Sequence, residues 1–188
     1  MSATRRLFVG IALRDGERRA LAGVAAELQR CGFAARYEDE HKLHLTLAFL
    51  GNVPHAHCAH MAETLRGAVA GVAQFEIVLD KVAAFPHERK PRVAYAGARD
   101  QGAAYRSLAR SLRAAYADQG FVFDADPVAH VTLARVKSPS RPLPMLEFAP
   151  IVICVDGVRL FESVFDKGAN TSRYDTLSSI PLAGASVT

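Results

Sequence analysis

Tryptophan is absent from this sequence, and cysteine and long hydrophobic runs are scarce. The last two shortages each argue against a class of protein. The 188 residues contain no tryptophan and three widely spaced cysteines, Cys31, Cys58 and Cys154, without a CxxC pair. An odd, scattered set of thiols argues against a disulfide framework or a thiolate zinc site and favours a reducing compartment. The apolar run at 7–13 follows a polar start and is too short for a signal peptide or membrane span. We therefore expect a cytoplasmic protein with no membrane association.

The charge balance is mildly basic, with a formal net charge of +4 at pH 7 and a pI near 9.1. A positive balance favours polyanionic partners such as nucleic acid. However, Arg106, Arg110 and Arg113 recur at a spacing typical of a solvated helix face. Charge alone therefore leaves nucleic-acid binding open.

Hydrophobic periodicity and turn residues predict strands and helices that alternate irregularly along the chain. The patterns predict helices at 15–28, 54–72 and 101–119, a loop at 138–150, and strands at 7–13, 33–37, 43–50, 75–85, 92–97, 121–123, 130–137, 151–165 and 172–179. This mixed order favours an α+β fold with largely antiparallel sheets over a doubly wound parallel sheet.

A weak internal repeat is visible in this order. Strand, helix, short strand and a second strand follow one another in residues 7–50 and again in residues 92–136. A duplication of this kind brings two equivalent strands together about a pseudo-twofold axis. We expect a single domain, 1–188, made of two intertwined lobes whose antiparallel sheets line a central cleft, with the helices outside.

Each half of the repeat contains the pattern His-x-Thr-x on a predicted strand, and the two histidines lie 86 positions apart. Alternate residues of a strand point to the same face. His44 and Thr46 should therefore project together, while Leu45, Leu47 and Phe49 point into a core.

The second copy repeats this arrangement, with His130 and Thr132 on one face and Val131 and Leu133 on the other. Each motif places a titratable imidazole beside a hydroxyl donor on an otherwise apolar strand. For one motif alone, a core histidine bonded to the backbone is the better interpretation. The pair favours two half-sites that face one substrate.

The segments around these motifs resemble the 2H phosphoesterases, and most closely the bacterial and archaeal RNA 2′,3′-cyclic phosphodiesterases, also described as tRNA 2′-5′ ligases. The resemblance covers most of the chain and is carried by RLFVGI at 6–11, KLHLTLAFLG at 42–51, FP at 85–86, PRV at 91–93, GF at 120–121, HVTLAR at 130–135, LFES at 160–163 and Tyr174. The sequence departs from the family pattern at Ala129, where a proline is usual. It also departs at 35–37, where a tryptophan is usual and Tyr37 is the candidate substitute.

The resemblance implies metal-independent hydrolysis of the 2′,3′-cyclic phosphate ends of RNA or nucleotides, without a cofactor. Ring opening needs one proton taken from water and one given to the departing ribose oxygen, and two imidazoles suit both steps. The resemblance also implies which histidine has which role: His130 is the base toward water, and His44 is the acid toward the leaving O3′. The product is then a 2′-phosphate. Thr46 and Thr132 would donate hydrogen bonds to the non-bridging oxygens. The resemblance also implies a weak reverse 2′-5′ ligation, and we expect a monomer.

Two arginines are candidate substrate contacts. Arg135 belongs to the family string, but strict alternation places it on the core face with Val131 unless the strand ends or bulges there. A phosphate contact and a structural ion pair both stay open for it. Arg92, in the basic segment 89–92, is a candidate contact for an RNA backbone, with a solvated turn as the alternative.

Aromatic residues are candidates for stacking on a base. Phe8, Phe49 and Phe161 could form such a platform, and Tyr37 is a fourth candidate. A phenylalanine in a strand is more often part of the core.

The sequence leaves three alternatives to this hydrolase. His55, His57, Cys58 and His60 lie close enough for a metal site, but a solvated helix start is favoured because no further ligand is evident. The same fold could act on another substrate, such as ADP-ribose 1″,2″-cyclic phosphate or a 2′-5′ linked oligonucleotide. A non-catalytic RNA-binding module is the third.

Overall fold

The β-rich pattern of the sequence folds into two antiparallel sheets and three helices. The computed structural model describes residues 3–123, 127–137, 141–168 and 170–184. Within these ranges the strands are β1 (Thr4–Ala12), β2 (Arg36–Tyr37), β3 (His44–Pro54), β4 (Phe75–Leu79), β5 (Lys81–Phe85), β6 (Val93–Gly97), β7 (His130–Arg135), β8 (Ile151–Val155), β9 (Gly157–Asp166) and β10 (Thr171–Pro181). The helices are α1 (Asp15–Arg30), α2 (Cys58–Ala68) and α3 (Ala103–Ala117). The predicted α+β class is confirmed.

The main sheet has eight strands in the order β10-β9-β1-β3-β7-β6-β5, with β2 added beside β7. The remaining strands, β4 and β8, form a separate two-stranded sheet. The main sheet consists of two groups of strands that meet between β3 and β7, where Leu45 pairs with Val131.

The internal repeat corresponds to equivalent strand pairs. In the first half, β1 pairs with β3 so that Ile11 lies opposite Leu45. In the second half, β6 pairs with β7 so that Ala96 lies opposite Val131. The Leu45–Val131 pair therefore lies on the pseudo-twofold axis that relates the two halves.

The helices cover one face of the main sheet. Leu21 and Leu28 of α1 and Leu108 and Leu112 of α3 are almost inaccessible to solvent and share one core cluster with Leu45 and its strand neighbours. A spacing of seven residues in α1 and of four in α3 places each pair on a single helix face. None of the helices in the described ranges is long and apolar enough to cross a membrane.

Several predicted bounds differ from the observed ones. The predicted strand 75–85 is two strands, because β4 pairs with β8 and β5 pairs with β6. The predicted helix 54–72 begins later, after a 3₁₀ turn at His55–His57. Within the predicted loop 138–150, residues 141–150 form neither helix nor strand, and 138–140 lie outside the described residues.

The predicted strand at 121–123 is wrong, because this segment folds back onto α3. The backbone N–H of Phe121 donates to the carbonyl of Tyr116, and their rings meet edge to face at 6.0 Å. The guanidinium of Arg113 lies 5.1 Å from the centre of the Phe123 ring. These contacts hold the segment against the helix and away from a strand partner.

Candidate active site

The junction between β3 and β7 brings the two His-x-Thr motifs together. Leu45 and Val131 are fully buried on the helix-covered face. Antiparallel pairing then puts His44 across from Thr132 and Thr46 across from His130, on the other face. Diagonal neighbours of this kind have Cβ atoms about 7–8 Å apart. That spacing leaves room for one phosphoryl group between the two imidazoles.

All four side chains line one cleft of about 730 Å³. The cleft is lined by residues of every strand of the main sheet and of the segment between β2 and β3. A larger groove of about 890 Å³ runs between α1 and residues 146–152, and its walls contain no histidine. Proton transfer by the two motif histidines is therefore possible in the cleft and not in this larger groove.

Both imidazoles are oriented by the same local hydrogen bond. The Nδ1 of His44 bonds to the carbonyl of Lys42 at 2.7 Å, and the Nδ1 of His130 bonds to the carbonyl of Val128 at 2.7 Å. A carbonyl can only accept, so each Nδ1 carries the proton in the neutral ring and each Nε2 is the basic nitrogen.

The two Nε2 atoms differ in their partners. The hydroxyl of Thr46 lies 3.0 Å from the Nε2 of His44 and donates to it. Across the described ranges, the Nε2 of His130 has no such partner. The half-sites are therefore related by pseudo-symmetry but are not equivalent.

Aromatic rings surround both imidazoles. The ring centres of Phe8 and Tyr174 lie 4.8 and 5.0 Å from that of the first histidine. Those of Phe85 and Tyr95 lie 5.1 and 5.2 Å from that of the second. These apolar walls remove water from the rings, which disfavours the charged form.

Burial lowers the pKa of both histidines below the usual 6.5. The hydrogen bond from His44 to the Lys42 carbonyl opposes this effect, as does the negative charge of Glu38. The positive charge of Arg135 lowers the pKa of both rings further. Nearby charged residues thus tune two titratable groups that already favour the neutral form.

A β-bulge follows each motif and changes the direction of the later side chains. In β3, Ala48 pairs with Val9 and Thr46 with Gly10, so Leu47 is the extra residue. The expectation that Phe49 points into the core is therefore wrong: its side chain is 63% exposed and lines the cleft.

The equivalent bulge in β7 returns Arg135 to the cleft. Ala134 pairs with Ala94 and Thr132 with Tyr95, which leaves one extra residue in β7. Arg135 lines the cleft, and its Nε donates to Glu38 at 2.8 Å. It is therefore both a cleft residue and a member of an ion pair.

The other candidate contacts fall in different places. Phe8 lines the cleft but is only 3% exposed and stacks on Phe161 at 5.0 Å, so it supports the site from below. Tyr37 does not line the cleft, because its hydroxyl donates to the Phe33 carbonyl at 2.8 Å. Arg92 is also outside the cleft and donates to the Lys137 carbonyl at 2.6 Å.

The alternative metal site does not form. Among the residues with described positions, no three His, Cys, Asp or Glu side chains converge as metal ligands. His55 instead contacts the guanidinium of Arg5 at 3.0 Å, and the thiol of Cys58 donates to the Pro54 carbonyl at 3.7 Å.

Sequence reasoning missed four charged residues of the cleft. Arg6, Arg36, Glu38 and Lys42 all line it. Arg36 and Glu38 reach it because β2 pairs with β7, a distant strand. Of these four, only Arg6 and Lys42 could have been found from the sequence, because each is the first residue of a segment that resembles the family.

The sequence is also similar to known proteins. The family described as LigT like Phosphoesterase matches residues 11–95. An RNA 2′,3′-cyclic phosphodiesterase of Archaeoglobus fulgidus is 35% identical over 132 residues, which are 70% of this chain and 73% of the relative. A protein of the same name from Geobacillus stearothermophilus is 29% identical over 184 residues, which are 95% of this chain, but the chain spans 57% of that relative.

The fold is also that of solved structures. E. coli LigT complexed with 3′-AMP superposes with a TM-score of 0.82 at 25% identity, covering 96% of this chain and 99% of the other. LigT has also been solved in complexes with phosphate, ATP and NADP+.

Proposed function

The chain belongs to the LigT-like phosphoesterase family, and on that premise we propose that it hydrolyses the 2′,3′-cyclic phosphate ends of RNA or nucleotides to 2′-phosphomonoesters. The observation that carries the proposal is the pair of imidazoles on opposite sides of the β3–β7 junction. Relatives named RNA 2′,3′-cyclic phosphodiesterase and the LigT complex with 3′-AMP support the same substrate class.

The reaction needs two proton transfers on opposite sides of phosphorus. As water attacks, His130 takes its proton, and the P–O3′ bond breaks while His44 gives a proton to O3′. A 2′-phosphate remains on the ribose. After the reaction His130 is protonated and His44 is neutral, and proton exchange with solvent restores the starting protonation state. Because the histidines supply both transfers, we propose that the reaction needs no metal or cofactor.

The assignment of roles follows the difference between the half-sites. The Nε2 of His130 has no hydrogen-bond partner in the described part of the chain, so it can accept a proton from the attacking water. The Nε2 of His44 faces the hydroxyl of Thr46 at 3.0 Å. Once His44 is protonated, this hydroxyl is released to donate to a phosphate oxygen, as Thr132 does on the other side.

The proposal is tested by turnover of 2′,3′-cyclic AMP in EDTA, with the product identified as 2′-AMP or 3′-AMP. We expect 2′-AMP. His44→Ala and His130→Ala should each lower kcat by about 10²–10⁴-fold, the usual contribution of a general acid or base. The matched control is His41→Ala, which removes an exposed histidine near β3 that does not line the cleft.

Loss of turnover in EDTA would contradict the metal-free mechanism, and near-normal turnover of either variant would remove that histidine from it. RNA binding without any turnover in the parent protein would favour the RNA-binding module. Weak 2′-5′ ligation, as the same steps reversed, requires both histidines. A monomeric state and a cytoplasmic location remain predictions.

A further inference from the structure

The cleft carries more positive charge than one cyclic phosphate requires. Four cationic side chains and a single carboxylate line it: Arg6, Arg36, Lys42, Arg135 and Glu38. Glu38 pairs with Arg135, and Lys42 donates to the hydroxyl of Thr171 at 2.6 Å. Arg6 and Arg36 have neither an ion-pair nor a hydrogen-bond partner among the residues whose positions are described. A cyclic phosphate carries one negative charge, so two arginines remain without a counter-charge.

The register of the sheet adds to this imbalance. Arg36 of β2 lies directly opposite Arg135 of β7. Like charges in directly opposed positions on neighbouring strands are destabilising. Glu38 contacts Arg135 and leaves Arg36 unpaired. An anion bound beside Arg36 would relieve that repulsion.

Tyr174 is near Arg6 by register, because Leu7 pairs with Glu162 and Tyr174 pairs with Ser163, the next residue of β9. Arg36 lines the same cleft. The Tyr174 ring is 5.0 Å from the His44 ring, centre to centre. Burial and Glu38 raise the pKa of the Tyr174 phenol, whereas the nearby charges of Arg135, Arg36 and Arg6 lower it. Three guanidinium groups are therefore close enough to influence one hydroxyl. The His130 ring, in contrast, has the aromatic neighbours Phe85 and Tyr95.

We propose that Arg6, Arg36 and the Tyr174 hydroxyl form a second phosphate subsite, which takes the phosphodiester on the 5′ side of the terminal nucleoside. The inference rests on the proposed function. O2′ and O3′ belong to the same ribose, and His44 faces O3′. The terminal nucleoside therefore lies on the His44 side of phosphorus, and water approaches from the His130 side.

The 5′ phosphodiester of that nucleoside is then directed toward the unpaired arginines. Guanidinium groups bind phosphate oxygens through paired, charge-assisted hydrogen bonds. The preferred substrate is accordingly an RNA strand with a cyclic end, and a cyclic mononucleotide is a poorer one because it leaves this subsite without a ligand.

The test compares 2′,3′-cyclic AMP with the dinucleotide ApA that ends in a 2′,3′-cyclic phosphate. The parent protein should have the higher kcat/KM for the dinucleotide, mainly through KM. Arg36→Gln and Arg6→Gln should each reduce the ratio of the two kcat/KM values by about tenfold, as expected for one charged hydrogen bond. The matched control, Arg159→Gln, removes an exposed strand arginine outside the cleft and should leave the ratio unchanged.

A salt series provides a second readout. The dependence of the dinucleotide KM on salt should weaken by about one unit of log–log slope in each variant, because one phosphate contact is lost. Equal losses on both substrates would place the arginines at the reacting phosphate and overturn the subsite. An unchanged ratio in both variants would also overturn it.

Failure of the proposed function has a different signature. If the parent turns over neither substrate, the hydrolase proposal fails, and the subsite is tested by equilibrium binding of adenosine 2′,5′-bisphosphate and 2′-AMP. Tighter binding of the bisphosphate that disappears in Arg36→Gln would support the subsite. Equal binding of the two ligands by the parent would overturn it.

Discussion

Replacing each threonine of the two motifs by valine removes a hydroxyl while keeping the shape of the side chain. Thr46 and Thr132 are both half-buried and face the cleft. The proposed function gives each one the same task, which is to donate a hydrogen bond to a non-bridging oxygen as negative charge develops on it. Because valine cannot donate, each variant loses one such bond.

The expected cost follows from other preorganised donors of this kind. Loss of one donor to a developing oxyanion lowers kcat by about 10²–10³-fold, or about 2.7–4 kcal/mol. Because the hydroxyls face the cleft and not the core, the free energy of unfolding should change by no more than about 0.5 kcal/mol. Thr46→Val also removes the donor that lies 3.0 Å from the Nε2 of His44 in the unliganded site.

The assay is kcat and KM for 2′,3′-cyclic AMP, with urea unfolding to show that each variant is folded. Thr176→Val, an exposed strand threonine outside the cleft, is the control. If both hydroxyls act in one transition state, the double variant should lose less than the product of the single losses. A folded variant within about twofold of the parent kcat, or a change confined to KM, would refute the role given to that threonine.

Three further predictions concern protonation and the core. Because burial lowers the pKa of both histidines to which the proposed function gives catalytic roles, the bell-shaped profile of kcat/KM against pH should be centred below 6.5, and a profile centred above 7 would contradict it. The same shift means that unfolding stability is complete above 6.5 and falls as pH drops below it, which urea titrations at several pH values would measure. Tyr105 and Tyr116 of α3 are both fully buried, but only Tyr116 has a described partner for its hydroxyl, the Met61 carbonyl at 2.9 Å. Tyr116→Phe should destabilise by about 1–3 kcal/mol, whereas Tyr105→Phe should be neutral or stabilising, and equal losses in urea unfolding would contradict this.

Local periodicity predicted the part of the site that depends on neighbouring residues. His44 and Thr46 lie two residues apart on a strand, so they share a face whatever the tertiary structure does. The internal repeat added that a second strand of the same kind would lie beside the first. Both inferences need only the spacing of residues within one strand.

Strand irregularities and distant pairings could not be predicted in this way. A bulge adds one residue to a strand and reverses the faces of all later residues. For this reason, Phe49 and Arg135 lie in the cleft where strict alternation placed them in the core. Arg36 reaches the cleft through a pairing between segments about a hundred residues apart, and no local pattern encodes such a pairing.

The proposed function gives the two copies of the motif different tasks, and departures from symmetry account for that difference. Gly10 and Tyr95 occupy equivalent positions, opposite Thr46 and Thr132. At Gly10 a Cβ atom would lie 2.7 Å from the Leu45 carbonyl oxygen, so β1 approaches β3 more closely than a side chain allows. At the equivalent position, Tyr95 instead packs its ring on the second histidine.

The ring of His44 is therefore surrounded by aromatic residues of β1, β9 and β10. The same strands bring Arg6 and the Tyr174 hydroxyl into the cleft. The ring of His130 is surrounded by aromatic residues of β5 and β6, Phe85 and Tyr95. An anionic nucleotide strand is stabilised beside positive charge, whereas a single water molecule needs only a free Nε2. In the proposed reaction, the strands added to each half, more than the motifs themselves, separate the acid side from the base side.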